Sequence, residues 1–400
     1  PPPPPLFLII RPPPPSTLAR PRRQRQLCII DRRLIVKSRV TISGVGVVGG
    51  FGCGVDALNE AIGRRQPTGS MRKKAGSNDD ETWMGHFADT SALLNYVDKR
   101  HLRRIDHFTR LTLLGGFLAL DDAGLLTNPR PPLGIIVATG NGATANQFDG
   151  VRALTDDNEI FGSPTKFAAS VHNAAAAMLA ILLKEQGPNL TVSQFDQSVG
   201  QSLSTALQWI REGRVEAVLV GGVDEYNYAA GRNWRHLFEA ADAQGDGSPR
   251  SLPAMAGEGA AFIVMCCEKA AGVALKRYAM LDEICLGARP PAVEAVLLDW
   301  DRPLILGVDG YSPRQQTYSR LLPARLTGAV YSGLYGGLPV GQGFDVAIAA
   351  LSLQAKRLFP SIAPHQAFVD PMTLTADNAD VAANGIDVLK LTVADAYSLI

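Results

Sequence analysis

The chain has 400 residues, 46% apolar and 19% charged, with 39 glycines and a formal net charge of +1. That length allows one large domain or two ordinary ones, and the apolar, Gly- and Ala-rich composition is that of a tightly packed α/β body. The first forty residues hold nine Lys/Arg against the single acid Asp31, a local +8 that leaves residues 41–400 at −7; an acidic body argues against nucleic-acid binding.

Residues 1–38 open PPPPPLFLIIRPPPPSTLARPRRQRQ and are too Pro- and Arg-rich to bury a core. A disordered basic arm, an Arg-rich targeting segment and a misassigned start ahead of the true domain all fit the composition. The prolines oppose the amphipathic helix of a targeting segment, so a disordered or artefactual extension is expected. Structure is expected from Arg39. RVTISGV reads as a strand and GVDALNEAIGRR as a short helix. Residues 66–100 are polar and irregular, as in a surface excursion. Residues 101–125, HLRRIDHFTRLTLLGGFLALDDAGL, carry apolar residues at helical spacing and end in Gly, which predicts one long helix. LGIIVATGNG (133–142) predicts a buried strand entering a glycine loop, with a helix over 144–155.

The Ala-rich run after Ser163 is apolar on every side, so a buried helix is expected there. LTVS is the next strand, 198–212 the next helix, and VEAVLVGGVDE (215–225) the strand after it. Strands alternating with helices predict parallel pairing with helices on both faces. Strands are expected again at 258–268, 278–288 and 302–310, with a buried helix over 340–355 and a β-like end near Ile400. The chain therefore reads as two similar α/β halves, 39–255 and 256–400, although no direct sequence repeat links them.

Gly44, Gly46 and Gly49 match G-x-G-x-x-G after a strand. No helix follows directly, and no strand ending in Asp or Glu follows about 20 residues on. Close strand–helix packing is the expected role, and no cofactor is. His101 and His107 lie six apart, on different helix faces, so they make no metal pair and are expected to be solvated. His172 reads as a structural histidine. Cys28, Cys53, Cys266, Cys267 and Cys285 lack metal or disulfide spacing, as expected of reduced cytoplasmic thiols, and Cys266 and Cys267 should point to opposite faces of a strand. No apolar run approaches the ~18–20 residues of a membrane span.

Several segments taken in order resemble the β-ketoacyl-acyl carrier protein synthases. These are VTISGVGVVGGFGCGVDALNEAI, LRRIDHFTRLTLLGGFLALDDAGL, SPTKFAASVHNAAAAMLAILLKEQGPNLTVS, GRVEAVLVGGVDE and MAGEGAAFIVM. They cover most of 39–270; beyond 270 the likeness is thin. The resemblance implies a thiolase-like fold, two βαβαβαββ halves in a layered αβαβα sandwich. It also implies a site. The family's turn reads like T-A-C-x-S-G, with a cysteine whose thiolate is favoured by a helix N-terminus and which takes an acyl chain from a carrier protein. Two histidines of the second half help to decarboxylate the extender.

Carried over, the cysteine position is Asp196, the first histidine position Asp309, the second Gly337, and an upstream lysine falls near Ser332. All three catalytic positions have departed. A carboxylate at Asp196 is explained without chemistry as an N-cap. The resemblance is therefore to the chain-length-factor type: an inert subunit of fatty acid- or polyketide-type synthesis, pairing with an active ketosynthase, or with itself, and serving acyl carrier protein. Leu190, Thr191, Val192 and Ser193 are expected at the dimer interface. An alternative is an active acyltransferase or decarboxylase using Asp196 and Asp309 as a carboxylate pair. A decayed copy without a partner is a third reading.

Overall fold

A strand-forming run, VTISGVGVVG, makes β1 (Val40–Gly49), buried along its whole length. It is followed by β2 (Gly52–Cys53), α1 (Gly54–Arg64), β3 (Ser70–Lys73), β4 (Thr82–Gly85), α2 (Lys99–Leu102), α3 (His107–Asp122) and β5 (Leu133–Thr139). Then come α4 (Thr144–Thr155), α5 (Pro164–Ser170), α6 (Ala174–Leu183), β6 (Asn189–Ser193), α7 (Ser198–Arg211), β7 (Ala217–Asp224) and β8 (Gly259–Cys267). The remainder holds β9 (Ala279–Ala288), β10 (Leu304–Ile305), β11 (Gly328–Ala329), α8 (Ser332–Tyr335), α9 (Gly341–Gln354), β12 (Val388–Ala394) and β13 (Tyr397–Leu399). The computed structural model describes residues 39–65, 70–73, 82–126, 130–155, 164–233, 255–267, 276–288, 303–307, 328–362, 388–394 and 397–399. The expected 1–38 extension and Cys28 lie outside them.

Nine strands share one sheet in the order β13-β12-β9-β1-β8-β7-β5-β6, with β2 folded back on β1. Strands from both sides of residue 255 contribute to it. β5 is parallel to β6 and β7, and β9 to β12. The expected parallel pairing stops there: β1 runs antiparallel to β8 and β9, and β7 to β8. Parallel neighbours need a crossover, which the local strand–helix alternation announces. β1 instead pairs with strands from far along the chain, whose direction nothing local specifies.

Side chains alternate between two cores. Ile136 and Ala138 of β5, Val218 and Val220 of β7, and Ala261, Ile263 and Met265 of β8 join one cluster with α1, α7, α9 and the β10–β11 pair. Ile135, Val137, Leu219, Phe262, Val264 and Cys266 face the other, under α3 and α6. Cys267 packs on the first cluster, so the two cysteines do point opposite ways. β1 changes phase midway. A register shift between Ile42 and Gly44 puts Ile42 and then Val45 and Val47 on the same face, as a bulge residue does. Val45 N–H donates to Asp122 Oδ2 at 2.8 Å beside that shift.

The phase change turns Gly44 and Gly46 toward α3. A Cβ on Gly44 would lie 2.2 Å from the Ala119 carbonyl oxygen, and one on Gly46 2.2 Å from that of Gly115. The glycine motif is therefore occupied by helix backbone, as the packing reading expects.

The long helix expected over 101–125 is two helices. Asp106 ends the first by capping the second: its Oδ1 accepts Thr109 N–H and its Oδ2 the Thr109 hydroxyl, each at 2.9 Å. Arg110 then donates to the Leu102 and Ile105 carbonyls at 2.8 and 3.0 Å, satisfying the end of α2. The surface excursion expected over 66–100 is only partly one. Within its described residues Ala88, Leu93, Val97 and His86 are buried. The Ala-rich α6 is not buried all round either. Ala175, Ala176, Leu179 and Leu183 face the core, but Ile181 is 66% exposed. Its uniform apolarity thus covers two faces, one of them on the surface of this chain. By contrast α9 buries twelve of its fourteen residues, and each fully buried Phe or Leu there contributes about 1.5–3 kcal/mol. Among the described residues no helix is long and apolar enough to cross a membrane.

Candidate functional site

Three parallel strands end side by side. Thr139 of β5 stands in register with Ser193 of β6, and Ala138 with Gly222 of β7, two residues before Asp224. The carboxyl ends of parallel strands are where open α/β sheets form their sites. After β6 the chain turns sharply. Phe195 takes a left-handed φ of 47°, and the 3-10 turn Phe195–Gln197 runs into α7.

Asp196 sits in that turn with its side chain exposed. It is not the N-cap of α7: Gln197 holds that place and makes no side-chain capping bond. The extra 3-10 step between strand and helix sets Asp196 one residue too early to cap. Ser198 holds the turn instead. Its buried Oγ accepts Gln194 N–H at 2.7 Å and donates to the Thr139 carbonyl at 2.9 Å.

Thr139 is fixed in turn by Asp224. This buried carboxylate accepts the Thr139 hydroxyl at 2.7 Å, Gly140 N–H at 3.0 and 3.1 Å and Asn141 N–H at 2.9 Å. Burial pushes its pKa up to about 6, against the pull of those donors. Glu225, next along, accepts Ala145 N–H at 2.6 Å at the start of α4, and burial raises its pKa as well.

The second half reaches the same turn through α9. Gln342 Nε2 donates to the Asp196 carbonyl at 2.7 Å. The approach is tightly packed. A Cβ on Gly140 would lie 2.4 Å from Pro339 Cβ, and one on Gly222 2.7 Å from Val340 Cβ. Gly337 is buried, its N–H donating to the Met255 carbonyl at 2.9 Å and its carbonyl accepting Gly257 N–H at 3.1 Å. The neighbouring Ser332 is buried at the start of α8. Asp309 lies outside the described residues, so its carboxylate pair with Asp196 has no geometry here. A cavity of about 730 Å³ lies elsewhere, between the C-terminal ends of α1 and α9.

Other polar residues escaped the sequence reading. The His86 ring packs beside Gly336, where a Cβ would meet it at 2.7 Å. Burial pushes its pKa down to about 4, although the ring is hydrogen-bonded to the Leu334 carbonyl. His107 is not simply solvated: its Nε2 lies 3.0 Å from Oε1 of the fully buried Glu258. Glu258 also accepts Ala88 and Tyr226 N–H, each at 3.1 Å. His101 is exposed on α2, as expected, and His172 Nε2 lies 3.3 Å from Gln147 Nε2. Spacing could not announce these contacts, because each joins residues from different elements.

Leu190, Thr191, Val192 and Ser193 belong to β6, which ends the sheet among the described residues. Leu190, Thr191 and Val192 are half-buried and Ser193 is exposed. Ile181 lies on α6, which packs against β6, Phe195 follows β6 in the turn and is 64% exposed, and Phe167, on α5, is 73% exposed.

This architecture is a thiolase-like ketosynthase fold. It matches the ishigamide ketosynthase/chain length factor with a TM-score of 0.71 at 16% identity, over 90% of this chain and 98% of that one. A beta-ketoacyl synthase from Burkholderia phymatum STM815 matches with a TM-score of 0.70, also at 16% identity and over the same shares. The chain belongs to the beta-ketoacyl synthase family: residues 52–271, more than half of it, match the family described as Beta-ketoacyl synthase, N-terminal domain. The chloroplastic 3-oxoacyl-[acyl-carrier-protein] synthase I of Arabidopsis thaliana is 27% identical over 223 residues, 52% of this chain and 47% of that protein. The 3-oxoacyl-[acyl-carrier-protein] synthase 1 of Escherichia coli K12 is 25% identical over 195 residues, 47% of each. The chain thus spans about half the length of the curated relatives it matches.

Proposed function

We propose that this chain is a non-condensing, chain-length-factor-like subunit that completes a dimer with an active, cysteine-bearing ketosynthase. One observation carries the reading. Where the family pattern has an acyl-accepting thiol, this chain has Asp196, and Gly337, at the second histidine position, offers no side chain. A carboxylate attacking a thioester would form a mixed anhydride, higher in energy than the thioester it replaced, and neither position carried over from the family's histidines, Asp309 and Gly337, is a histidine. The packing of Pro339 and Val340 against Gly140 and Gly222 also fits a site that holds structure rather than an acyl chain.

The edge position of β6 supports pairing through Leu190–Ser193. A strand edge left open is a template for another strand, and the apolar residues exposed around it suit burial by a partner. Among solved relatives, one is a ketosynthase/chain length factor and another is an acyl-carrier protein in complex with its ketosynthase. By analogy, the partner here is a ketosynthase and the assembly acts on chains borne by acyl carrier protein. Co-expression with a cysteine-bearing ketosynthase tests this. A stable heterodimer that condenses malonyl and acyl carrier proteins is expected, with no condensation by this chain alone. Purification of this chain as a stable homodimer that never takes up the ketosynthase would defeat the proposal.

A further inference from the structure

Phe195 holds a left-handed backbone conformation that is strained for a non-glycine residue, and such strain persists only where the surroundings impose it. Two groups impose it here. Ser198 Oγ receives Gln194 N–H from below, at 2.7 Å. From the other half of the chain, Gln342 Nε2 meets the Asp196 carbonyl at 2.7 Å, so the strained residue lies between two fixed points. Gln342 is itself buried in the first turn of α9, and its Oε1 has no hydrogen-bond partner among the described residues. The carboxamide is thus held with one end unsatisfied while the other engages this turn. The resembled pattern T-A-C-x-S-G has a small residue where Phe195 stands, so this chain carries a bulky side chain there on a left-handed residue.

We infer that Gln342 is a positioning residue that latches the Phe195–Asp196 turn of the first half to α9 of the second. The latch sets the outward direction of the Phe195 ring and the place of Asp196 ahead of α7. It joins residues 146 apart in sequence by a single side-chain-to-backbone bond, so the turn moves with α9. Gln342 performs this in a monomer, a homodimer or a heterodimer alike, and the inference does not need the pairing proposed above.

Amide hydrogen exchange on the full chain tests it. The reporters are Gln194 N–H, held by Ser198 Oγ, Gln197 N–H, held by the Gln194 carbonyl, and Ser198 N–H, held by the Phe195 carbonyl. Gln342→Met keeps the length and Gln342→Leu the bulk of the side chain, and each removes the donor. Each should speed exchange at these amides by about fivefold, the effect of losing one hydrogen bond. Ser352→Ala, on the same helix and at a hydroxyl without a partner, should leave them unchanged. In a Phe195→Gly background, where the strain is gone, the effect of Gln342→Leu should shrink. Parental exchange in both Gln342 variants overturns the latch. So does acceleration spread evenly along α9 and β7, which would mean general loosening. Neither result bears on ketosynthase binding, which is read separately by co-purification.

Discussion

Asp345 offers the sharpest measurement. It lies in the middle of α9, 1% exposed, and its Oδ1 accepts the Tyr335 hydroxyl at 2.7 Å while Oδ2 has no partner among the described residues. Burial pushes its pKa from the ordinary 3.8 up to about 7, although the Tyr335 bond pulls it down. The folded chain therefore holds a proton that the unfolded chain releases near pH 4. Stability from this group is fully present below that pH and is lost as pH rises toward 7. Three pH units at about 1.4 kcal/mol each give a loss on the order of 4 kcal/mol between acid and neutral pH. Asp345→Asn cannot ionise, so it escapes the loss, but it buries an amide donor at an estimated cost of about 1–3 kcal/mol. The two chains should exchange rank: the variant less stable near pH 4.5 and more stable near pH 8, by about 1–3 kcal/mol. Urea unfolding followed by tryptophan fluorescence from pH 4.5 to 8.5 reads this directly. Asp224 and Glu225 also titrate in this range, and taking the difference between parent and variant removes their share. A difference that stays constant across the range would refute the reasoning.

Gly46→Ala should destabilise the fold by about 3 kcal/mol, since its Cβ would strike the Gly115 carbonyl at 2.2 Å; a parental melting temperature would contradict the close crossing of β1 and α3. Glu258→Gln replaces the carboxyl group facing His107 and keeps an acceptor for only one of two amides, because Ala88 N–H uses Oε1 and Tyr226 N–H uses Oε2. It should cost about 1–3 kcal/mol in urea unfolding, and a neutral result would show the pair to be dispensable. Ile181→Asp alters a side chain that is 66% exposed, so the fold should hold while association with a second subunit weakens at least about tenfold. Sedimentation velocity checks this, and unchanged assembly would move the interface away from α6 and β6.

The sequence was most readable where a pattern is local. β5, α4, α7, β7 and α9 fall within a residue or two of their expected spans because periodicity and glycine punctuation act over a few residues. The helix over 101–125 broke because Asp106 is a helix start hidden within an apolar rhythm that continues across it. The apolarity of α6 was legible, but not which face it serves, since a surface buried by a partner and one buried by the fold select the same side chains. The turn at Asp196 was legible by resemblance. What braces it was not: Ser198 with Thr139, Gln342 with Asp196, and Glu258 with His107 pair residues about 60 to 150 apart. Such pairs leave no mark on spacing.

The place of β1 has a consequence for how the chain is made. The strand lies between β8 and β9, whose first residues, Gly259 and Ala279, leave the ribosome about 200 residues after Gly49. At about 5–20 residues per second, the nascent strand waits some ten to forty seconds with β2, α1 and α3 made but its sheet neighbours β8 and β9 not yet synthesised. During that interval most of VTISGVGVV lacks the strands that flank it in the folded sheet. A chaperone that holds the nascent chain would find its apolar target in this interval.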